Sequence, residues 1–192
     1  YAELEALFAL DMPEKTAVCI LADKEEIGSV GISGMQSHYF EHFMEGLCDA
    51  QGVKLSDCFA NSFCLSADVS NAFDPNWPET CDKRNNSQLN YGVAICKYTG
   101  SRGKGGASDA SAEAMGHVRS TLDKAGVIWQ IATLGKVDQG GGGTVAAYMA
   151  NRNIVTVDAG VPVLSMHAPL ELVSKLDCYE TYRGMKAVYQ AM

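Results

Sequence analysis

The chain has 192 residues, enough for one domain or at most two small ones, and long enough to bury a core without disulfide or metal staples. Hydrophobic residues make up 47% and charged residues 20%, a globular balance that excludes a disordered chain. Fifteen Lys and Arg against 23 Asp and Glu leave a net charge of −8, which argues against a general binder of nucleic-acid backbones.

The segment Tyr1 to Leu10 reads as the end of a helix. Thr16 to Ala22 is short and apolar, with Pro13 before it and charges after it, the pattern of a buried strand. It is also the longest apolar run, far short of the roughly 20 residues a membrane span needs. Gly28 to Gly34 is a Gly/Ser loop. Met35 to Ala50 has helical spacing, with Tyr39, Phe43, Met44 and Leu47 on one face and Gly52 as its stop. Asn61 to Leu65 is a strand running into Ser66-Ala67-Asp68, and Asp74 to Asn90 is a polar loop. Tyr91 to Tyr98 is a strand and Gly100 to Gly106 a turn. Ser108 to Lys124 is a helix that Ser108 or Asp109 can cap and Gly126 ends. Val127 to Leu134 is a strand, Gly140 to Gly143 a glycine run, and Thr144 to Asn151 a short helix. The strand Ile154 to Asp158 and a closing helix, Leu176 to Met192, complete the chain.

Strands alternate with helices, so the expected fold is α/β, a three-layer α/β/α sandwich around a mostly parallel mixed sheet. Ligands in such folds bind beyond the carboxyl ends of the strands. The seven cysteines are odd in number and contain no CxxC pair, which argues against a disulfide framework and for a reducing, cytoplasmic setting. Tyr1 to Leu10 carries two Glu and no basic stretch of the kind that opens a signal peptide.

Polar clusters stand at the expected strand ends. In Asp23-Lys24-Glu25-Glu26, adjacent carboxylates point different ways, so one can bind a metal while its neighbour serves as a general base; a solvated acidic turn has the same spacing. Asp68 is a metal candidate or a turn residue. His167, in Ser165-Met166-His167-Ala168-Pro169, is a ligand candidate or a loop histidine. Glu, Asp and His together make an oxygen and nitrogen donor set suited to zinc, manganese or cobalt. A competing constellation is His38-Tyr39-Phe40-Glu41-His42, which matches the inverted zinc-protease motif H-x-x-E-H, with Glu113 as a conceivable third ligand. Gly103-Lys104-Gly105 lacks the glycine and hydroxyl spacing of a phosphate loop. Gly140 to Gly143 either presents backbone N–H groups to an anion or carbonyl, or lets the backbone pass close to a neighbour.

Taken in order, LADKEEIGS, GMQSHYFEHF, LSADVSNAFDPNWPE, KYTGSRGK with SDASAE, VDQGGGGT and VPVLSMHAP resemble the aspartyl aminopeptidase / vacuolar aminopeptidase I family of dinuclear zinc exopeptidases, closest to a bacterial branch. The resemblance implies a zinc-exopeptidase-like fold and removal of N-terminal residues from peptides. It implies Glu25 as the general base toward a water between two zinc ions, Glu26 and His167 as ligands of one ion, and Asp68 as a ligand of the other. Lys97, Gly142 and Gly143 match the family's substrate side. Cobalt or manganese can replace zinc in such a donor set. The family's peptide substrates and large homo-oligomers are the implied partners, with neither nucleic acid nor membrane.

Two departures qualify this. The family pattern also calls for an upstream H-x-D and a bridging Asp; the chain contains no H-x-D, and Asp11 stands too close to Glu25 for the bridging role. Residues 1–192 are therefore expected to form the second half of a catalytic domain, without the upstream ligand segment or the dimerisation domain, and alone to be inactive or to hold an incomplete metal site; a non-catalytic α/β binding domain is the remaining alternative. The aspartyl-specific branch carries His at the positions of Asn71 and Asp74; a carboxylate at Asp74 that faces the Asp68 region disfavours acidic substrates and points to neutral or broad specificity.

Overall fold

The structure, a computed structural model, describes residues 1–103, 105–136 and 138–192. Lys104 of the Gly-Lys pair and Val137, which opens VDQGGGGT, lie outside the described residues. The elements in chain order are α1 (Ala2–Phe8), α2 (Tyr39–Gln51), α3 (Leu55–Ala60), β1 (Phe63–Ser66), β2 (Ser70–Asn71), β3 (Val93–Cys96), β4 (Tyr98–Ser101), β5 (Gly105–Asp109), α4 (Ala112–Lys124), β6 (Trp129–Ile131), α5 (Ala146–Ala150), β7 (Val155–Gly160), β8 (Pro162–Leu164), β9 (Leu172–Val173) and α6 (Lys175–Ala191).

The main sheet has the order β1-β7-β3-β6. β1 and β7 are parallel, β3 and β6 are parallel, and β7 and β3 are antiparallel, giving the mixed, mostly parallel sheet expected. Period-two alternation sorts the side chains. Val93, Ile95, Val157 and Ala159 face one way and pack with Ala114, Met115, Val118 and Leu122 of α4. Cys64 of β1 faces the other way and packs with Met35, Phe40, Met44, Phe59, Met149 and Ile154 from the α2, α3 and α5 side. Each fully buried aliphatic or aromatic side chain contributes about 1.5–3 kcal/mol, so both layers matter to the fold.

Polar groups bolt α6 into place. Ser174 caps it, accepting from Leu176 N at 3.2 Å. The buried Asp177 carboxylate accepts from the backbone N–H groups of Asn90 and Gly92, each at 2.8 Å, and Glu180 accepts from Ile128 N at 2.7 Å. These acids therefore satisfy backbone donors at the entries to β3 and β6. A second sheet, β2-β8-β9, and the β4–β5 hairpin complete the architecture. No helix is long and apolar enough to cross a membrane, among the described residues.

Several expectations are corrected. Thr16 to Ala22 belongs to no strand: Ile20 and Leu21 are exposed, and Val18 O accepts from the Tyr189 hydroxyl at 3.2 Å. An apolar run becomes a strand only where a neighbour offers a ladder, and none does here among the described residues. The buried face of α2 is Phe40, Met44 and Cys48, whereas Tyr39 and Phe43 point outward. Helix α4 starts later than expected: Ser111 caps it, accepting from Ala114 N at 3.1 Å, while Ser108 and Asp109 lie in β5. The stops at Gly52 and Gly126 hold, with φ of 68° and 64°. Strands β2, β4, β5, β8 and β9 and helix α3 are present beyond the elements the sequence pattern predicts.

Candidate functional site

Glu25 to Ile27 form one 3-10 turn bracketed by left-handed residues, Lys24 (φ 64°) and Gly28 (φ 92°). The Gly28 carbonyl accepts from Gln36 Nε2 at 2.6 Å and from the Tyr148 hydroxyl at 3.3 Å, and Ser33 Oγ donates to the Asp23 carboxylate at 2.9 Å. The turn is thereby tied to the approach to α2 and to α5. Glu25 is half-buried and Glu26 exposed.

Asp68 follows β1 and is half-buried. Its backbone is pressed against the end of β7: a Cβ on Gly160 would overlap the Asp68 carbonyl oxygen, so only glycine fits there. Ser70 N then donates to Val161 O at 2.9 Å, carrying the chain into the second sheet. His167 sits in the turn between β8 and β9, in left-handed conformation (φ 67°) beside the left-handed Ser165 (φ 59°). Its N–H donates to Glu171 Oε1 at 2.6 Å. His167 Nδ1 lies 3.6 Å from Glu26 Oε1. Glu26, Asp68 and His167 are thus presented by an unpaired loop, the exit of β1 and a turn of the second sheet, rather than by three strand ends of one sheet.

These groups feel one another. Burial pushes the Glu25 carboxyl above its ordinary range, the charges of Asp68 and Glu26 push it further, and His167 opposes them. Asp68 is likewise raised, first by burial, with the Val69 N–H opposing and Glu26 reinforcing. Crowded carboxylates of this kind are eased by a cation. The donor set of Glu26, Asp68 and His167 suits zinc in chemistry, and two ligands about 2.0–2.1 Å from a tetrahedral zinc stand about 3.3 Å apart, close to the Glu26–His167 separation. Among the described residues, no three His, Cys, Asp or Glu side chains come close enough to hold one ion.

The remaining candidates divide. Lys97 is ion-paired with Asp109 of β5, so its ammonium is committed to the β4–β5 hairpin. The glycine run packs against that hairpin: a Cβ at Gly143 would lie 2.9 Å from Gly106 O, one at Gly142 3.3 Å from a Leu134 methyl, and Arg102 N donates to Gly140 O at 2.8 Å. Close backbone approach explains these glycines. In the H-x-x-E-H stretch, Glu41 accepts from His38 Nδ1 at 2.9 Å and Arg152 Nε at 2.7 Å, and these bonds hold its carboxyl below the ordinary range. Glu41 thus has a structural occupation, and Glu113 is on α4, across the sheet from α2, so it is no third ligand. Asn71 Nδ2 donates to Cys81 Sγ at 3.6 Å, and Asp74 Oδ1 accepts from Asn76 N at 2.8 Å. Asp74 thus caps its own turn.

Sequence reasoning passed over Asp158 and Thr144. Asp158, buried in β7, accepts a hydrogen bond from Thr144 Oγ1. Burial pushes its carboxyl up to about 7, with the Thr144 bond opposing and the Asp68 charge reinforcing. The signal was present: an acid inside the apolar run Val155-Thr156-Val157-Asp158-Ala159-Gly160. An open groove of about 590 Å³ between α1 and α6, lined in part by Phe8, Tyr179 and Tyr182, contains none of these residues.

A probable M18 family aminopeptidase 1 from Clostridium acetobutylicum is 48% identical over 97% of this chain and 41% of its own length. The one from Thermotoga maritima is 42% identical over 100% of this chain and 44% of its own. The crystal structure of the T. maritima aminopeptidase superposes with a TM-score of 0.96 over 100% of this chain and 44% of that one, at 42% identity. The S. cerevisiae mApe1 dodecamer superposes with a TM-score of 0.72 at 25% identity, over 88% of this chain and 36% of that one. The chain thus spans less than half the length of these relatives. The family model described as aminopeptidase I zinc metalloprotease (M18) matches residues 1–189, and the chain belongs to that family.

Proposed function

We propose that the protein is a zinc-dependent aminopeptidase that removes N-terminal residues from peptides, with Glu25 as its general base. The observation that carries this reading is the meeting of Glu26 and His167 at 3.6 Å, beside the raised carboxyls of Glu25 and Asp68, in a chain of this family. Glu26 and His167 would hold one zinc ion and Asp68 a second; such ions, when bound, activate water and polarise a scissile carbonyl. Glu25 takes a proton from the attacking water and returns it to the leaving amine. Its raised carboxyl suits both halves of that task, because a base works best when its own affinity for the proton lies near the working pH. Lys97, which is ion-paired to Asp109 of the β4–β5 hairpin, and Gly142 and Gly143 of the glycine segment would lie toward the substrate.

We also infer that residues 1–192 hold only part of the metal centre, as the second half of a catalytic domain. The absence of an H-x-D sequence from these 192 residues and the failure of any three donors to converge among the described residues support this. Assembly into a homo-oligomer is proposed from the dodecameric yeast relative. A cytoplasmic setting is proposed from the odd, CxxC-free cysteine set.

Zinc content and peptide turnover of the full-length protein test the reading. Glu25→Gln should retain zinc and lose about 10²–10⁴-fold in kcat. His167→Ala should lose zinc, and His38→Ala should change neither quantity. Near-normal turnover in Glu25→Gln, or zinc governed by His38, defeats the assignment.

A further inference from the structure

The register of β7 sets Asp158 opposite Ser66 of β1 and opposite Cys96 of β3. Cross-strand partners share a face, so these three side chains form a row across three strands, on the side away from Val157 and Ala159. All are buried: Ser66 is 3% exposed, Asp158 6% and Cys96 7%. A carboxylate this deep is expensive to desolvate, and a core position flanked by Val157 and Ala159 would be more stably filled by an apolar residue. Its use must therefore lie in what it holds.

What it holds is Thr144. The Thr144 hydroxyl donates to Asp158 Oδ2 and accepts from Ala146 N at 3.3 Å, at the entry to α5. Thr144 is itself buried and directly follows the glycine run Gly140 to Gly143. Glycine segments carry no side chains with which to anchor themselves; Arg102 N holds Gly140 O at the start of the run, and Thr144 is the first side chain after its end. On its other side, Asp158 is two residues before Gly160, against whose bare Cα the Asp68 backbone rests. One side-chain pair therefore links the glycine segment to the strand that supports Asp68.

We propose that Asp158 is a positioning residue: through Thr144 it fastens the Gly140–Gly143 segment to β7 and so fixes the spacing between the substrate-side loop and the carboxylate site. The aminopeptidase reading supplies what is being positioned; the anchoring itself stands on the Thr144–Asp158 contact. Asp158 acts through Thr144 and touches no reacting atom.

The test uses the full-length, zinc-loaded protein and the variants Thr144→Val, Thr144→Ser, Asp158→Asn and Thr144→Val/Asp158→Asn. Thr144→Val keeps shape and removes the donor, so it should fold even if changes at Asp158 do not. Loss of one buried hydrogen bond should raise backbone amide exchange at residues 141–146 about tenfold, leaving β3, β7 and α6 as protected as before. On a peptide substrate KM should rise about tenfold with zinc content unchanged, whereas a general loosening of the fold would lower the active fraction and leave KM alone. Thr144→Ser should restore both readouts, and the double variant should lose no more than Thr144→Val. Unchanged exchange in Thr144→Val, an unchanged KM, or additive losses in the double variant would each overturn the proposal. If the wild-type protein cleaves no peptide, the aminopeptidase reading fails, and the exchange measurement still decides the anchoring.

Discussion

The two flanks of the candidate site are built by different means. Asp68, Asp158 and His167 hang from paired strands: the exit of β1, the body of β7, and the β8–β9 turn. Glu25 and Glu26 stand on a single turn between left-handed residues, after a segment with no ladder, and the turn is tied down by Gln36, Tyr148 and Ser33. A ladder draws its rigidity from the whole fold, whereas a turn held by side chains opens alone. The flank assigned the proton transfer is thus the one whose geometry can change without unfolding the molecule.

The largest way to break this contrast is on the ladder flank. Gly160→Ala forces a Cβ into the Asp68 carbonyl, and backbone cannot rotate aside as a flexible side chain can. Overpacking of this severity should cost about 3 kcal/mol or more in urea unfolding. A loss below about 1 kcal/mol would mean that β1 and β7 are not pinned to one another at this point.

Asp158 sharpens the contrast through pH. Its carboxyl ionises at its ordinary 3.8 in the unfolded chain and at about 7 in the folded one. Between those values the unfolded chain is the more ionised, so rising pH removes stability, and above the upper value the penalty is constant. Asp158→Asn abolishes this contribution. The difference in melting temperature between variant and wild type, with zinc stripped, should therefore grow in the variant's favour from about pH 4 to pH 7 and then level off. A difference that does not vary with pH would show that Asp158 ionises normally when folded.

The smallest effect on stability belongs to the other flank. Gln36→Leu removes the short bond to the Gly28 carbonyl at an exposed position. Global stability should shift by no more than about 0.5 kcal/mol. Amide exchange at residues 24–29 should nevertheless rise, and peptide turnover of the full-length protein should fall with it. Unaltered exchange there would place the rigidity of the turn elsewhere, in Tyr148 or Ser33.

Much of the helical frame is legible in the sequence, because α4 and α6 combine periodic apolar residues with punctuation. Gly52 after α2 and Gly126 after α4 mark stops through a conformation that side chains disfavour. Thr16 to Ala22 misleads for the opposite reason: hydrophobicity is local, whereas a strand is a relation between two segments. In α2, Tyr39 and Phe43 form a stripe as plausible as Phe40 and Met44, and only tertiary packing chooses between them. The short strands of the second sheet and the Gly-rich β4–β5 hairpin carry too few side chains for any period to register. Within the site, Glu25, Glu26, Asp68 and His167 stand out as polar clusters after apolar runs. Asp158 does not, because an acid at the end of a strand also reads as the start of a turn; its depth and its bond to Thr144 belong to three dimensions.

The turn that carries His167 has a consequence of its own. Histidine there occupies a left-handed backbone conformation, as does Ser165 two residues before it. A non-glycine residue held in that region costs of order 1 kcal/mol, which glycine would largely avoid. The side chain most easily discarded to make this turn more durable is thus the imidazole that faces Glu26. A laboratory lineage selected for heat resistance alone, with no demand for activity, would be drawn to glycine here, and its gain in robustness would erase the ligand candidate. Thermal endurance and chemistry meet at this one backbone angle, and they favour different residues.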